Sequence, residues 1–193
     1  MFKKLGEKLR DKKPDKLLAH LVSLGIDAEL VKKGAYEDIG KPSLWEMNAS
    51  DMGSIKINGK EIDVIQVTKY SGAEYGPTYR IDYAVKGRIG AKEERVMAKT
   101  KLKKKGFVHK IGWTSGGILD ISWTGGEIAD LLNEDESLKE LMLREQIPKF
   151  GIIEIKPDKN KPFVRISTGE IFPSEKEFEC YNTIAKHISS LIQ

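Results

Sequence analysis

Cysteine is almost absent from this chain. One residue, Cys180, stands among 193, which excludes an intramolecular disulfide, a paired-cysteine redox centre and a cysteine-rich zinc site. A reducing, cytoplasmic address fits that composition best. Long apolar runs are missing too: none approaches the roughly 20 residues of a bilayer-spanning helix. Met1 to Arg10 alternates charge with leucine where a secretory signal would build an apolar stretch, so secretion is not expected. Arginine is scarce, six residues against 27 lysines, and so are the thermolabile amides, three Gln and five Asn. Lysine enrichment with few amides is a tendency of heat-loving proteins, and a prokaryotic, thermophilic character is the expectation that follows.

Motifs that would declare an activity are equally lacking. There is no phosphate-binding loop ending in Gly-Lys-Ser/Thr, no Gly-x-Gly-x-x-Gly opening a helix, no His-Glu-x-x-His, no Gly-x-Ser-x-Gly elbow and no calcium loop. The three histidines, His20, His109 and His187, fall in different predicted elements, and each reads more simply as an interfacial or surface residue than as a ligand or base. Cys180 lies at the edge of an apolar helical stripe and reads as a core thiol. No metal or cofactor site is expected.

What the chain does carry is charge, unevenly placed. The net charge is +4. Residues 1 to 16 hold seven cations and three anions, so the other 177 residues balance at 26 of each sign. The basic surplus belongs to an N-terminal arm. Phe2, Leu5 and Leu9 give residues 1–13 a narrow apolar face that supports only weak adsorption to an anionic membrane surface; packing on the body or a mobile tether are the competing readings. Within the body, Lys99, Lys101, Lys103, Lys104, Lys105 and Lys110 follow one another with no acid between them. In a strand, Lys99, Lys101, Lys103 and Lys105 project from one face and could track a polyanion such as a nucleic-acid backbone. The competing reading is a solvated edge strand, where lysine discourages sheet-to-sheet aggregation. Nearby aromatic platforms are thin, Phe107 and Trp113 alone, and arginine is absent from the stretch. From Glu127 to Glu145, seven acids stand against Lys139 and Arg144; such a face is usually solvated, and if it instead meets the lysine strand, within the fold or in a neighbouring subunit, the patch is already neutralised.

Periodicity supplies the elements. Pro14 opens a helix with the stripe Leu17, Leu18, Leu21, Val22 and Leu24, ended by Gly25; a third short helix is expected from Asp27 to Gly34. Residues 35–53 show no period. From Ser54 the period is two: 54–57, an Asn58-Gly59 type I′ turn, then 61–70. Tyr79 to Lys86 alternates strictly, predicting one buried and one wet face, and Val96 to Leu102 repeats the pattern. Shorter strands at 107–113 and 118–123 are expected around a Thr114-Ser115-Gly116-Gly117 turn, with Trp113 and Trp123 as cross-strand neighbours. Helical period returns at Ile128, with a bend or split at Asn133 to Glu136. A hairpin over 150–156 and 162–168 precedes a last helix, capped by Ser174 with Glu177 in the capping-box position. Thr124, Gly125 and Gly126, running straight into the helix at Glu127, are a candidate anion-binding turn. The simpler reading is a turn and helix cap, since no lysine accompanies it and Glu127 repels an anion.

Strands grouped in runs argue for an α+β fold with an antiparallel, curved sheet of six to eight strands. Two amphipathic helices pack it, behind a helical N-terminal arm. The expected division is 1–45 for the arm and linker and 46–193 for the body. The functional expectation is a cytoplasmic, non-enzymatic binding or protein-interaction module, self-association included. The alternatives are a nucleic-acid-binding protein using residues 99–110, a small apolar-ligand binder, or an enzyme with a sparse carboxylate site drawn from Asp63, Asp82 and Asp120.

Overall fold

The period-two segments become the strands of one antiparallel sheet, and the period-3.6 segments become helices laid on its apolar face. A computed structural model of the chain describes residues 12–31, 49–70, 78–87, 93–106, 115–158, 162–169 and 172–192. In chain order the elements are α1 (Lys13–Ser23), β1 (Ala28–Leu30), β2 (Ala49–Ile57), β3 (Val64–Tyr70), β4 (Thr78–Lys86) and a 3-10 turn (Glu93–Val96). These are followed by β5 (Ala98–Gly106), β6 (Ser115–Gly125), α2 (Glu127–Glu134), α3 (Glu136–Arg144), β7 (Glu154–Pro157), β8 (Phe163–Thr168) and α4 (Glu175–Ile192). The eight strands run β1-β2-β3-β4-β8-β7-β5-β6, every neighbouring pair antiparallel. The fold is therefore α+β, and no helix among the described residues is long and apolar enough to cross a membrane.

The register sorts the side chains. Ile55 pairs with Ile65, Ile65 with Tyr83, Tyr83 with Ile166 and Ile166 with Ile155, which draws one apolar stripe across five strands. This face belongs to a single buried cluster with Leu17 and Leu21 of α1, Ile128 and Leu132 of α2, Leu138 and Met142 of α3, and Phe178, Tyr181, Ile184 and Ile188 of α4. Each such side chain taken fully out of water contributes about 1.5–3 kcal/mol. The Tyr83 and Tyr181 rings, 4.7 Å apart between centroids, join the middle of the sheet to α4.

Helix boundaries follow their caps. Gly25 takes φ +75°; its amide donates to Val22 O (3.0 Å) and the Ile26 amide to Leu21 O (3.1 Å), the paired bonds of a Schellman stop. Between α2 and α3, Asp135 ends one helix and caps the next, accepting from Leu138 N at 2.9 Å. That is the break expected at Asn133 to Glu136. At α4 the capping box closes as expected: Glu177 N donates to Ser174 Oγ (3.3 Å) and Ser174 N to Glu177 Oε2 (2.7 Å). Glu177 is fully buried and takes a second bond from Lys149 Nζ at 3.0 Å.

Several expectations need correction. Where a helix is expected from Asp27 to Gly34, the described residues 27–31 instead form and flank the strand β1, because bonds from Asn58 N to Asp27 O and from Val31 N to Ser54 O (2.9 Å each) stitch this segment along β2; sheet pairing outweighs local propensity, and residues 32–34 lie outside the described residues. Asn58 and Gly59 lie in the β2–β3 connection, but only Gly59 has positive φ (+66°), so no type I′ turn forms. The connection runs on to Asp63 so that Ile62 can enter the core, where it is fully buried. Gly116 and Gly117 belong to β6 and not to a turn. On β4 the expected wet face is covered as well: Ile81 to Val85 are buried without interruption. Ala84 packs there with Val64 and Phe163 in a small apolar cluster, and the rest of the cover is polar. Asp82, fully buried, accepts from Arg80 Nε (3.1 Å) and Ser167 Oγ (2.5 Å), with Arg165 Nη1 at 3.9 Å, and these side chains close over it. The strand expected at 107–113, Trp113, His109, Lys110 and the arm 1–11 lie outside the described residues.

Candidate nucleic-acid interface

Alternation along β5 separates its lysines from its core residues. Thr100 is buried and Leu102 half-buried, while Lys99, Lys101 and Lys103 are exposed. Their partners on β6 are Thr124, Ser122 and Asp120, so the two strands present a polar face to solvent and an apolar one, with Ile121 and Trp123, to the core. Past the bulge at Lys103, Lys104 is exposed as well. Lys105 continues the strand in backbone only, its side chain being outside the described residues, as is all of Lys110. Thr100 anchors the strand from beneath: its amide donates to Ile153 O (3.0 Å), and the Ile153 amide donates to Thr100 Oγ1 (3.0 Å).

The acid-rich segment packs on the other side of the sheet, with Ile128, Ala129, Leu132, Leu138, Leu141 and Met142 buried there. Asp130, Glu134, Glu136 and Glu140 lie exposed on the far surface of those helices. Among the described residues, no acid forms an ion pair with Lys99, Lys101, Lys103 or Lys104. The two acids close by in register are otherwise engaged. Asp120, opposite Lys103, accepts from Ile121 N (2.9 Å) and faces Lys139 Nζ at 3.6 Å; Glu154, opposite Lys99, pairs with Lys156 at 2.8 Å. Helix α3 thus sends a cation round the sheet edge, and among the described residues its acids do not pair with the lysine row.

That edge is closed by two side-chain amides. Asn133 exchanges a pair of hydrogen bonds with the Trp123 backbone (Trp123 N to Oδ1 2.8 Å, Nδ2 to Trp123 O 2.9 Å). Gln146 does the same with Ile118 (Ile118 N to Oε1 2.5 Å, Nε2 to Ile118 O 3.2 Å). A Cβ on Gly117 would lie 2.7 Å from Gln146 Oε1, so any larger residue there would have to displace that amide.

At the turn into α2, Gly125 (φ +147°) and Gly126 lie against the strand of chain between Glu94 and Ala98; a Cβ on the first would overlap Met97 O, and on the second Glu94 O. The Gly126 amide donates to Met97 O at 2.7 Å, and Thr124 Oγ1 lies 3.5 Å from Lys99 O. Close backbone packing accounts for both glycines. Glu127 beside them pairs with Arg95 at 2.5 Å.

The three carboxylates are dispersed. Asp63 lies just before β3 and accepts from Lys86 N (2.6 Å); burial raises its pKa, with the Lys86 amide and charge acting the other way. Asp82 sits in its arginine cluster. Asp120 is on β6, with β8, β7 and β5 between it and β4. His20 and His187 are interfacial: His20 Nε2 donates to Pro173 O (2.7 Å), and His187 Nε2 meets Asp135 Oδ2 at 2.8 Å. Cys180 is fully buried in the core, and burial pushes its thiol pKa up.

Two exposed apolar residues between α3 and β7 escaped the sequence reading, Phe150 and Ile152. Ile152-Ile153 places two apolar residues in succession within a period-two segment, so one of them must face outward; that was the available signal. Compared with known family models, curated proteins and solved structures, the chain matches none of them.

Proposed function

We propose that the protein is a non-enzymatic, cytoplasmic binding module that holds the phosphate backbone of a nucleic acid along the open face of β5 and β6. The carrying observation is the in-phase row Lys99, Lys101 and Lys103, exposed and in no ion pair among the described residues, since its register neighbours Asp120 and Glu154 pair with Lys139 and Lys156, with the acids of α2 and α3 in the opposite layer. Alternate residues on a strand stand about 6.8 Å apart, so the row meets successive phosphates of a backbone lying along it. The protein-interaction reading has less support at this end of the sheet, because the β6 edge that could recruit another strand is occupied by Asn133 and Gln146.

The test is binding against salt. Log affinity falls by about 0.7–0.9 per decade of salt for each phosphate neutralised. Replacing Lys99, Lys101 and Lys103 by Gln is expected to weaken binding and flatten that slope by about 2–3. Absence of binding at low salt overturns the proposal.

A further inference from the structure

The lysine row does not lie on a purely polar surface. Ile153 is fully buried and bonded to Thr100, and Ile152, pointing the other way, is 47% exposed. Extending the register of Ala98 with Ile155 and Lys99 with Glu154 by two residues sets Ile152 beside Lys101. Phe150 is 63% exposed, the most exposed large apolar side chain among the described residues. Its place on the same face follows from Gly169. That glycine continues the alternation of Arg165 and Ser167, whose side chains reach Asp82 on the open face. A Cβ on Gly169 would lie 3.4 Å from Phe150 Cβ and 3.3 Å from Phe150 O. Across the row, Leu119 of β6 is 55% exposed next to the bulge at Lys103 and Lys104. A line of cations is thus flanked by exposed apolar side chains, one of them an aromatic ring.

We infer that the ligand is a single-stranded nucleic acid, its phosphates on Lys99, Lys101 and Lys103 and an unstacked base on Phe150, with Ile152 beside it. This rests on the reading above and adds a ligand class to it. Unpaired bases offer a π-face to an aromatic side chain whatever their identity, and duplex bases do not. A two-stranded ribbon can enter a duplex major groove, but here the ribbon's apolar face carries α2 and α3 and its outer edge is closed by Asn133 and Gln146, leaving only the lysine face to be offered. A second copy of the chain on this patch would set lysine against lysine.

The test is a fluorescence-anisotropy titration of three probes at fixed low salt: oligo(dT), a duplex of the same length and inorganic polyphosphate, with anionic vesicles as a fourth arm. Phe150 is exposed, so Phe150→Ala should fold, and an unchanged thermal melt verifies it. Phe150→Ala is expected to weaken oligo(dT) by about tenfold, the stacking contribution of one base, and to leave duplex and polyphosphate within about twofold. Phe150→Trp should restore or tighten oligo(dT). The Lys99, Lys101 and Lys103 to Gln variant should weaken all three polyanions. If Phe150→Ala leaves oligo(dT) unchanged while the lysine variant abolishes it, the single-strand inference fails and the backbone reading stands. Preference for duplex, equal losses on all three probes, or vesicle binding with the same Phe150 dependence also overturns the inference. Failure of every polyanion to bind overturns both.

Discussion

Gln146 holds a left-handed backbone, φ +56°, where glycine is the usual occupant, and it is the one described non-glycine residue with positive φ. The strain is retained because its side chain closes the sheet edge at Ile118. Gln146→Ala keeps the strain and strips the amide, and is expected to cost about 1–3 kcal/mol. Gln146→Gly loses the same bonds but relieves the backbone, so its cost should be smaller by about 1 kcal/mol. Urea midpoints of the two variants check the order. Asp135 makes a second residue-level prediction. Burial disfavours its charge, but hydrogen bonds from His187, Ser137 and the Leu138 amide prevail and bring its pKa from 3.8 down to about 2. A depressed carboxylate contributes stability above its unfolded pKa and loses it as pH falls through the folded value. The stability difference between the wild type and Asp135→Asn should therefore be full above about pH 5 and shrink steadily toward pH 2. A difference independent of pH over that window would assign the role to packing alone.

Among the elements, helix ends were the most legible in the sequence, because a cap is a local device. The Ser174 and Glu177 box, the Gly25 stop and the break at Asp135 all use partners within five residues. Ser174→Ala is expected to destabilise by about 1 kcal/mol, a fall in melting temperature of roughly 2–4 °C for a chain of this size. Strands were less legible. The Asn58-Gly59 pair marked the β2–β3 hairpin, but the burial of Ile62 lengthened its loop. The segment after Gly25 read as helix because Leu30 and Val31 fit either period, and pairing to β2 decided it. Gly116-Gly117 read as a turn because two glycines usually make one, but both lie in β6, where Gly117 leaves room for the amide of Gln146, distant in sequence.

The whole molecule is a two-layer structure with charge of opposite sign on its two surfaces near β6: lysines on the open sheet face and acids on the outer side of α2 and α3. Cys180 lies between the layers, fully buried. Its thiol should react with a disulfide reagent only as the chain unfolds, and rapid labelling of the native protein would show that α4 opens from the sheet. The apolar and polar phases of β5, the acid bias of residues 127–145 and the α+β class all follow from residue order, since each depends on spacings of two to four positions. The candidate site does not. The pairing of Lys99 with Glu154 brings the segment before β7 alongside the lysine strand. Phe150 lies against Gly169 just past β8, and the sheet itself separates the lysines from the acids of α2 and α3. Local spacing determines which face of an element is apolar; only the packing of distant segments determines what that face, or the polar one behind it, lies beside.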